Sequence, residues 1–244
     1  MTSLADEYER QARWRHWEAP VEAGERVFDL GCGVGQMSAR LHALGADVVG
    51  VDSNEELLAR ARSRHPELRF EKLDLRELEP HTFGMADGIW SSFTAAYFPD
   101  LESTLRKWCA CLRPGGWLAL VEVDDLFGHE PLEPRFFASL RAFYQDAKGR
   151  YDFECGRRLR SSMETIGLST VHEAVLPDDE FSFDGPASPE VLQAWRDRLA
   201  RMAGLQRFFG ADFPELERAL LAALSDPAHR SRTRVVMVVA RKPQ

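Results

Sequence analysis

Three glycines alternate with Cys32 and Val34 behind an acid in Asp29-Leu30-Gly31-Cys32-Gly33-Val34-Gly35. Glycines let a backbone turn sharply and let a ligand approach it closely. A helix that starts behind such a loop offers unsatisfied N–H groups and positive potential to a polar or anionic group. Asp52 lies 21 residues after Gly31, at the distance where a carboxylate can accept two neighbouring ribose hydroxyls. Loop and acid together point to a nucleoside ligand more than to a simple tight turn. The dinucleotide fingerprint requires Gly or Ala at the sixth position of its motif, and Gln36 stands there. A nicotinamide oxidoreductase is therefore disfavoured.

Further along, Trp90 to Asp100 (WSSFTAAYFPD) is unusually aromatic for a loop. Trp90, Phe93 and Tyr97 are candidate substrate residues, because aromatic faces attract a cation by about 0.5–2 kcal/mol. Glu122-Val123-Asp124-Asp125-Leu126-Phe127-Gly128-His129 follows a strong strand. Strand ends of this kind face a ligand crevice. His129 is a candidate proton acceptor there, with Tyr97 as the second catalytic candidate, and a solvent-exposed histidine is the plainer alternative. Asp124 and Asp125 are adjacent and would point to opposite sides of an extended chain, so no metal site is expected. Arg157 is a candidate for binding a substrate carboxylate. Cys109 and Cys111 lack a second pair at metal spacing and read as packing.

The order acid, then G-x-G-x-G, resembles the first motif of class I S-adenosylmethionine-dependent methyltransferases. Leu73-Asp74-Leu75 and Leu112-Arg113-Pro114-Gly115-Gly116-Trp117-Leu118 resemble later motifs of that family. The matches span residues 27 to 123. The resemblance implies an α/β Rossmann-like sheet of seven mostly parallel strands, order 3-2-1-4-5-7-6 with strand seven antiparallel, helices on both faces and a helical cap. It implies S-adenosyl-L-methionine as cofactor. Asp29 and Gly31 would meet the methionyl part, and Gly33 and Gly35 would allow close passage. Asp52 would hold the ribose, with Ser53 at the adenine edge. Asp74 and Leu75 would meet the adenine, and Ser91 would lie beside the methionyl group. Apart from the resemblance, Arg13 lies on a helix-like N-terminal segment that could close over the cofactor and reach the methionyl carboxylate. The Asp/Asn-Pro-Pro-Tyr/Phe motif of nucleobase and amide methylating enzymes is replaced by Ser91-Ser92-Phe93-Thr94.

These residues must be held by alternating strands and helices. Apolar runs at Arg26–Leu30, Asp47–Asp52, Leu68–Leu73, Ala86–Ser91 and Trp117–Val123 alternate with helical patterns of about 10–15 residues, the mark of a parallel sheet. Ser53 with Glu56 has capping-box spacing. Leu168–Leu176 and Val235–Ala240 read as strands six and seven. The 58 residues from Pro177 to Arg234 are far beyond an ordinary connection. They read as two capped helices, beginning at Ser188 and Asp212, with Trp195, Phe208 and Phe209 packed on something. The expected units are an N-terminal lid segment (1–20), a core (21–176 plus 234–244) and a helical insert (177–233).

The chain has 244 residues and a net charge of −8. That balance lacks a phosphate-neutralising face, so nucleic acid is an unlikely partner and a small-molecule acceptor is expected. A protein acceptor, or a non-catalytic cofactor-binding protein, is the alternative, and the insert could instead form a homodimer interface. No apolar run approaches membrane-spanning length, and the N-terminus has no apolar signal core. Four cysteines make no disulfide framework, so a cytoplasmic location is expected.

Overall fold

A computed structural model describes residues 18–244, so Arg13 and most of the expected N-terminal lid lie outside the described residues. Five strands and their helices alternate first: β1 (Arg26–Leu30), α1 (Gln36–Ala43), β2 (Asp47–Asp52), α2 (Glu55–Arg64), β3 (Arg69–Lys72), the short α3 (Pro80–Phe83), β4 (Ala86–Ser92), α4 (Leu101–Ala110) and β5 (Leu112–Asp124). Then come β6 (His129–Glu130), α5 (Pro134–Ala147), α6 (Leu159–Thr165) and β7 (Ser169–Leu176). The insert holds α7 (Pro189–Arg201), α8 (Ala203–Phe209), α9 (Phe213–Ser225) and β8 (Arg230–Ser231), and β9 (Arg234–Arg241) follows it. The main sheet runs β3-β2-β1-β4-β5-β9-β7. This is the expected order once the two short strands are set aside. β9 runs antiparallel to both neighbours. The short strands β6 and β8 pair with each other in a separate ribbon.

Strand side chains alternate between two apolar layers, as the period of two requires. Val27, Trp90, Trp117, Val121 and Val123 face a layer shared with α1, α5 and the insert. Phe28, Leu30, Ile89, Leu118 and Leu120 face α4 and α6. The insert is not a detachable flap. Trp195, Leu199, Leu205, Leu216, Leu220 and Leu224 belong to the same apolar cluster as the sheet. It also carries three helices rather than two, and Phe208 is exposed. The cap of α2 differs as well. Asn54, not Ser53, accepts the N–H groups of Glu56 and Leu57, at 3.0 and 3.3 Å.

Gly88 explains one contact in this core. It sits opposite Trp117 in the β4–β5 register, and a Cβ there would lie 2.1 Å from the indole. Gly88→Ala is expected to lower stability by about 3 kcal/mol, the upper end of ordinary overpacking, seen as a drop of roughly 6–12 °C in the melting temperature.

Candidate functional site

The carboxyl ends of β1, β2, β3 and β4 converge on the glycine loop. Gly31, Gly33 and Gly35 all have positive φ (76°, 54° and 80°), a backbone that other residues rarely adopt. Gly31 is also sterically required, because a Cβ would stand 2.0 Å from Thr94 Oγ1. Gly35 is needed for a different reason: its Cβ would strike the Phe70 ring. Asp52, at the end of β2, accepts the Gly33 N–H at 2.9 Å and the Asn54 N–H at 2.8 Å. A carboxylate has about four acceptor positions, so two remain for a pair of hydroxyls. The Leu73 N–H donates to the Asp52 carbonyl at 3.0 Å, which places Asp74 and Leu75 next to Asp52.

The other expected cofactor residues have structural ties of their own. Asp29 is buried and accepts the Ser38 hydroxyl at 2.5 Å. Burial raises its pKa to about 7, against the Ser38 hydrogen bond and with help from Asp52. Its carboxyl therefore faces α1 and shapes the loop. Ser91 is buried and donates to the Leu30 carbonyl at 2.8 Å, joining the ends of β4 and β1. Asp74 is held by Arg76 at 2.7 Å, which lowers its pKa. Ser53 is exposed beside Asp52, and Leu75 is buried at the start of a short turn. A glycine cradle of this shape, with a strand-end carboxylate beside it, fits a nucleoside carrying an amino-acid tail.

Next to the glycine loop is a cavity of about 510 Å³, between the loop after β4, the end of β5, α5 and the insert. Volumes of 300–1,000 Å³ are usual for small-molecule sites. Phe93 and Tyr97 line it as expected, facing Tyr151, Phe153 and Phe181. Phe93 has φ 52°, a left-handed conformation that costs about 1–3 kcal/mol and is concentrated at functional sites. Tyr97 meets Tyr151 edge to face at 4.8 Å. Tyr97 is 59% exposed; partial desolvation, then the nearby Glu122 and Asp52 side chains, raise its phenol pKa, and it stays protonated at neutral pH. Arg150, Arg198 and Arg201 also line the cavity. Sequence reasoning missed these arginines. The signal for two of them was their i, i+3 spacing beside the Trp195 stripe of α7.

Three expected site residues stand elsewhere. Trp90 is completely buried in the sheet core with Trp117, because it points to the opposite face from Ser91. Arg157 pairs with Asp124 at 2.5 Å and Glu154 at 2.8 Å and is not part of the cavity wall. Asp124 and Asp125 do diverge: Asp124 takes Arg157 and Arg234, while Asp125 takes Arg141 and Tyr144.

His129 is the third. The chain turns at Asp125 (φ 62°) and carries His129 into the β6–β8 ribbon, where it is fully buried. Its Nδ1 lies 3.1 Å from His229 Nε2, and His229 Nδ1 lies 3.0 Å from the Gly185 carbonyl. The carbonyl can only accept, so His229 donates to it from Nδ1 and His129 donates to His229. Burial, then His229 and Arg198, push the His129 pKa down to about 3. A folded pKa below the unfolded one means the neutral pair stabilises fully above about pH 6.5 and loses that stability as pH falls toward 3. We expect a loss of roughly 2 kcal/mol between pH 6.5 and 5. It is measured as the difference in thermal unfolding between the parent and His129→Phe, so that the oppositely titrating Asp29 cancels. A pH-independent difference would refute it.

Comparison with known proteins is consistent with this geometry. Residues 28–120 match the family model described as a methyltransferase domain. A trans-aconitate 2-methyltransferase of Deinococcus radiodurans is 36% identical over 244 residues, covering 91% of this chain and 89% of that protein. A trans-aconitate 2-methyltransferase of Variovorax paradoxus is 36% identical over a shorter span, 49% of this chain and 47% of that protein. Against relatives of that kind the chain spans about half of their length. The crystal structure of an S-adenosylmethionine-dependent methyltransferase from Mesorhizobium loti shares the fold, with a TM-score of 0.53, 22% identity, and coverage of 92% of this chain and 94% of that one. The near full-length relative, together with a glycine cradle and strand-end acid of the right form, places the chain in the class I S-adenosylmethionine-dependent methyltransferases.

Proposed function

We propose that the protein transfers a methyl group from S-adenosylmethionine to the carboxylate of a small organic acid held in the aromatic cavity. The observation that carries this reading is that the charged residues lining the cavity, Arg150, Arg198 and Arg201, are all basic, with Arg198 and Arg150 also paired outside it to Glu180 and Asp146. Guanidinium groups recognise carboxylates through paired, charge-assisted hydrogen bonds. The relatives named for trans-aconitate, itself a carboxylic acid, support the same class of acceptor.

When bound, the cofactor supplies a methyl group on a sulfonium, transferred by in-line displacement. A carboxylate arrives already ionised, so no group must take its proton. This agrees with the burial of His129 and the neutral phenol of Tyr97. What remains for the chain is to orient the acceptor and exclude water. The arginines would fix the acid's charge. Phe93, Tyr97 and Phe181 would cover the reacting face. The insert would act as the lid, since Phe181, Arg198 and Met202 form one side of the cavity.

The test is turnover of a panel of di- and tricarboxylic acids with methyl-labelled cofactor, read by mass spectrometry as methyl esters. Label appearing only in tRNA, DNA or protein would refute the proposal.

A further inference from the structure

We propose that Glu122 is a positioning residue of the acceptor cavity, an uncharged carboxyl inside β5 that clamps the turn Ala95–Tyr97 and so fixes the Tyr97 wall. The functional part of this inference rests on the reading above.

Glu122 is 1% exposed and points to the same face of β5 as Leu118 and Leu120. Its Oε1 accepts the Ala96 N–H at 3.2 Å. The N–H groups of Ala95 and Thr94 also favour its charged form. On the other side, the Ala96 carbonyl accepts the Asp152 N–H at 2.8 Å. The Tyr97 N–H closes the turn on the Thr94 carbonyl at 3.1 Å. Ala96 is therefore held from the sheet by Glu122 and from the segment after α5 by Asp152. The residues beside these anchors, Tyr97 and Tyr151, are the two rings in edge-to-face contact on the cavity wall. One buried carboxyl thus sets the register between the loop after β4 and the far wall.

The second oxygen shows the charge state. Glu122 Oε2 is buried and has no hydrogen-bond partner. An ionised carboxylate would leave a negative oxygen there without a donor, which is costly. The groups facing Glu122 do not compensate. Asp152 repels it, although Arg158 neutralises Asp152 at 2.7 Å. The Cys155 thiol and the Tyr97 phenol are both uncharged, their pKa values raised in part by Glu122 itself. Among the described ion pairs none involves Glu122. Burial, opposed by the three N–H groups, raises its pKa to about 8.

Three measurements on the full chain test this. Infrared titration should show a neutral carboxyl band at pH 7 that fades above about pH 8 and is missing in Glu122→Gln. Amide hydrogen exchange at Ala96 and Tyr97 should be slow in the parent and in Glu122→Gln, and at least tenfold faster in Glu122→Ala. For a carboxylic acid acceptor, KM should rise in the parent as pH passes 8 and stay flat in Glu122→Gln, with kcat little changed in either. Glu122→Ala should raise KM about tenfold at pH 7. A carboxylate band at pH 7, equal exchange in all three proteins, or a parent-like pH profile in Glu122→Gln would each overturn the proposal. A parent that methylates no organic acid refutes the function proposed above, while the infrared and exchange measurements still decide the clamp.

Discussion

Asp52→Ala is expected to weaken S-adenosylmethionine binding by about 10–100-fold, the worth of one or two hydrogen bonds to a charged group. The effect has two sources. The carboxylate would hold the ribose hydroxyls. It also fixes the site itself, because its two oxygens take the N–H groups of Gly33 and Asn54. Removing it frees the glycine loop at the position where φ is already left-handed. Asp52→Asn separates the two contributions. An amide oxygen can still accept one of the N–H bonds, so the loop is partly retained while the charge is lost. Calorimetric titration with the cofactor should rank the proteins as parent, Asn variant, Ala variant. The melting temperature without ligand should fall by only a few degrees. Equal affinity in the parent and the Ala variant would remove Asp52 from the site.

The glycine-loop part of this candidate site is legible in the sequence because it is local. Gly31, Gly33 and Gly35 follow one strand and Asp52 ends the next, so a parallel sheet brings them together without further information. The strand order was legible for a similar reason, since alternating strands and helices with right-handed crossovers leave few arrangements. The aromatic part is not. Its cavity is assembled from Phe93, Val123, Phe143, Tyr151, Phe181 and Met202, which lie on six separate stretches of chain. No periodicity relates them.

Trp90 shares an aromatic segment with Phe93 and Tyr97, but inside a strand the side chain at 90 must oppose the one at 91. His129 follows β5, whose end faces the crevice, yet the left-handed turn at Asp125 redirects the chain first. Ser53 and Asn54 both suit a helix start. Asp52 accepts the Asn54 N–H, and Asn54 then uses its own side chain on Glu56 and Leu57. Glu122 stands out least, because nothing in the sequence reveals that the loop after β4 folds onto it.

Arg201→Ala is expected to raise KM for a carboxylic acid acceptor by about 10-fold or more, since a hydrogen bond to a charged group is worth about 1.5–3 kcal/mol. Arg201→Glu should abolish turnover of the acid, because it adds a like charge facing the substrate. Arg198 would be the poorer probe. It pairs with Glu180 and lies over the Phe181 and Trp195 rings at 4.5 and 5.0 Å, so its removal would loosen the insert. Arg150 pairs with Asp146 at 2.7 Å on the surface. Arg201 is half-buried at the end of α7, and desolvation lowers its pKa. A carboxylate placed against it would favour its charged form. Cofactor affinity and melting temperature should stay close to the parent values, because Arg201 is partly exposed and lies on the insert wall of the cavity. An uncharged ester of the same acid gives the control, as its binding should not respond to the substitution. If the acid and its ester lose affinity equally, Arg201 acts through packing and the carboxylate reading of the cavity fails.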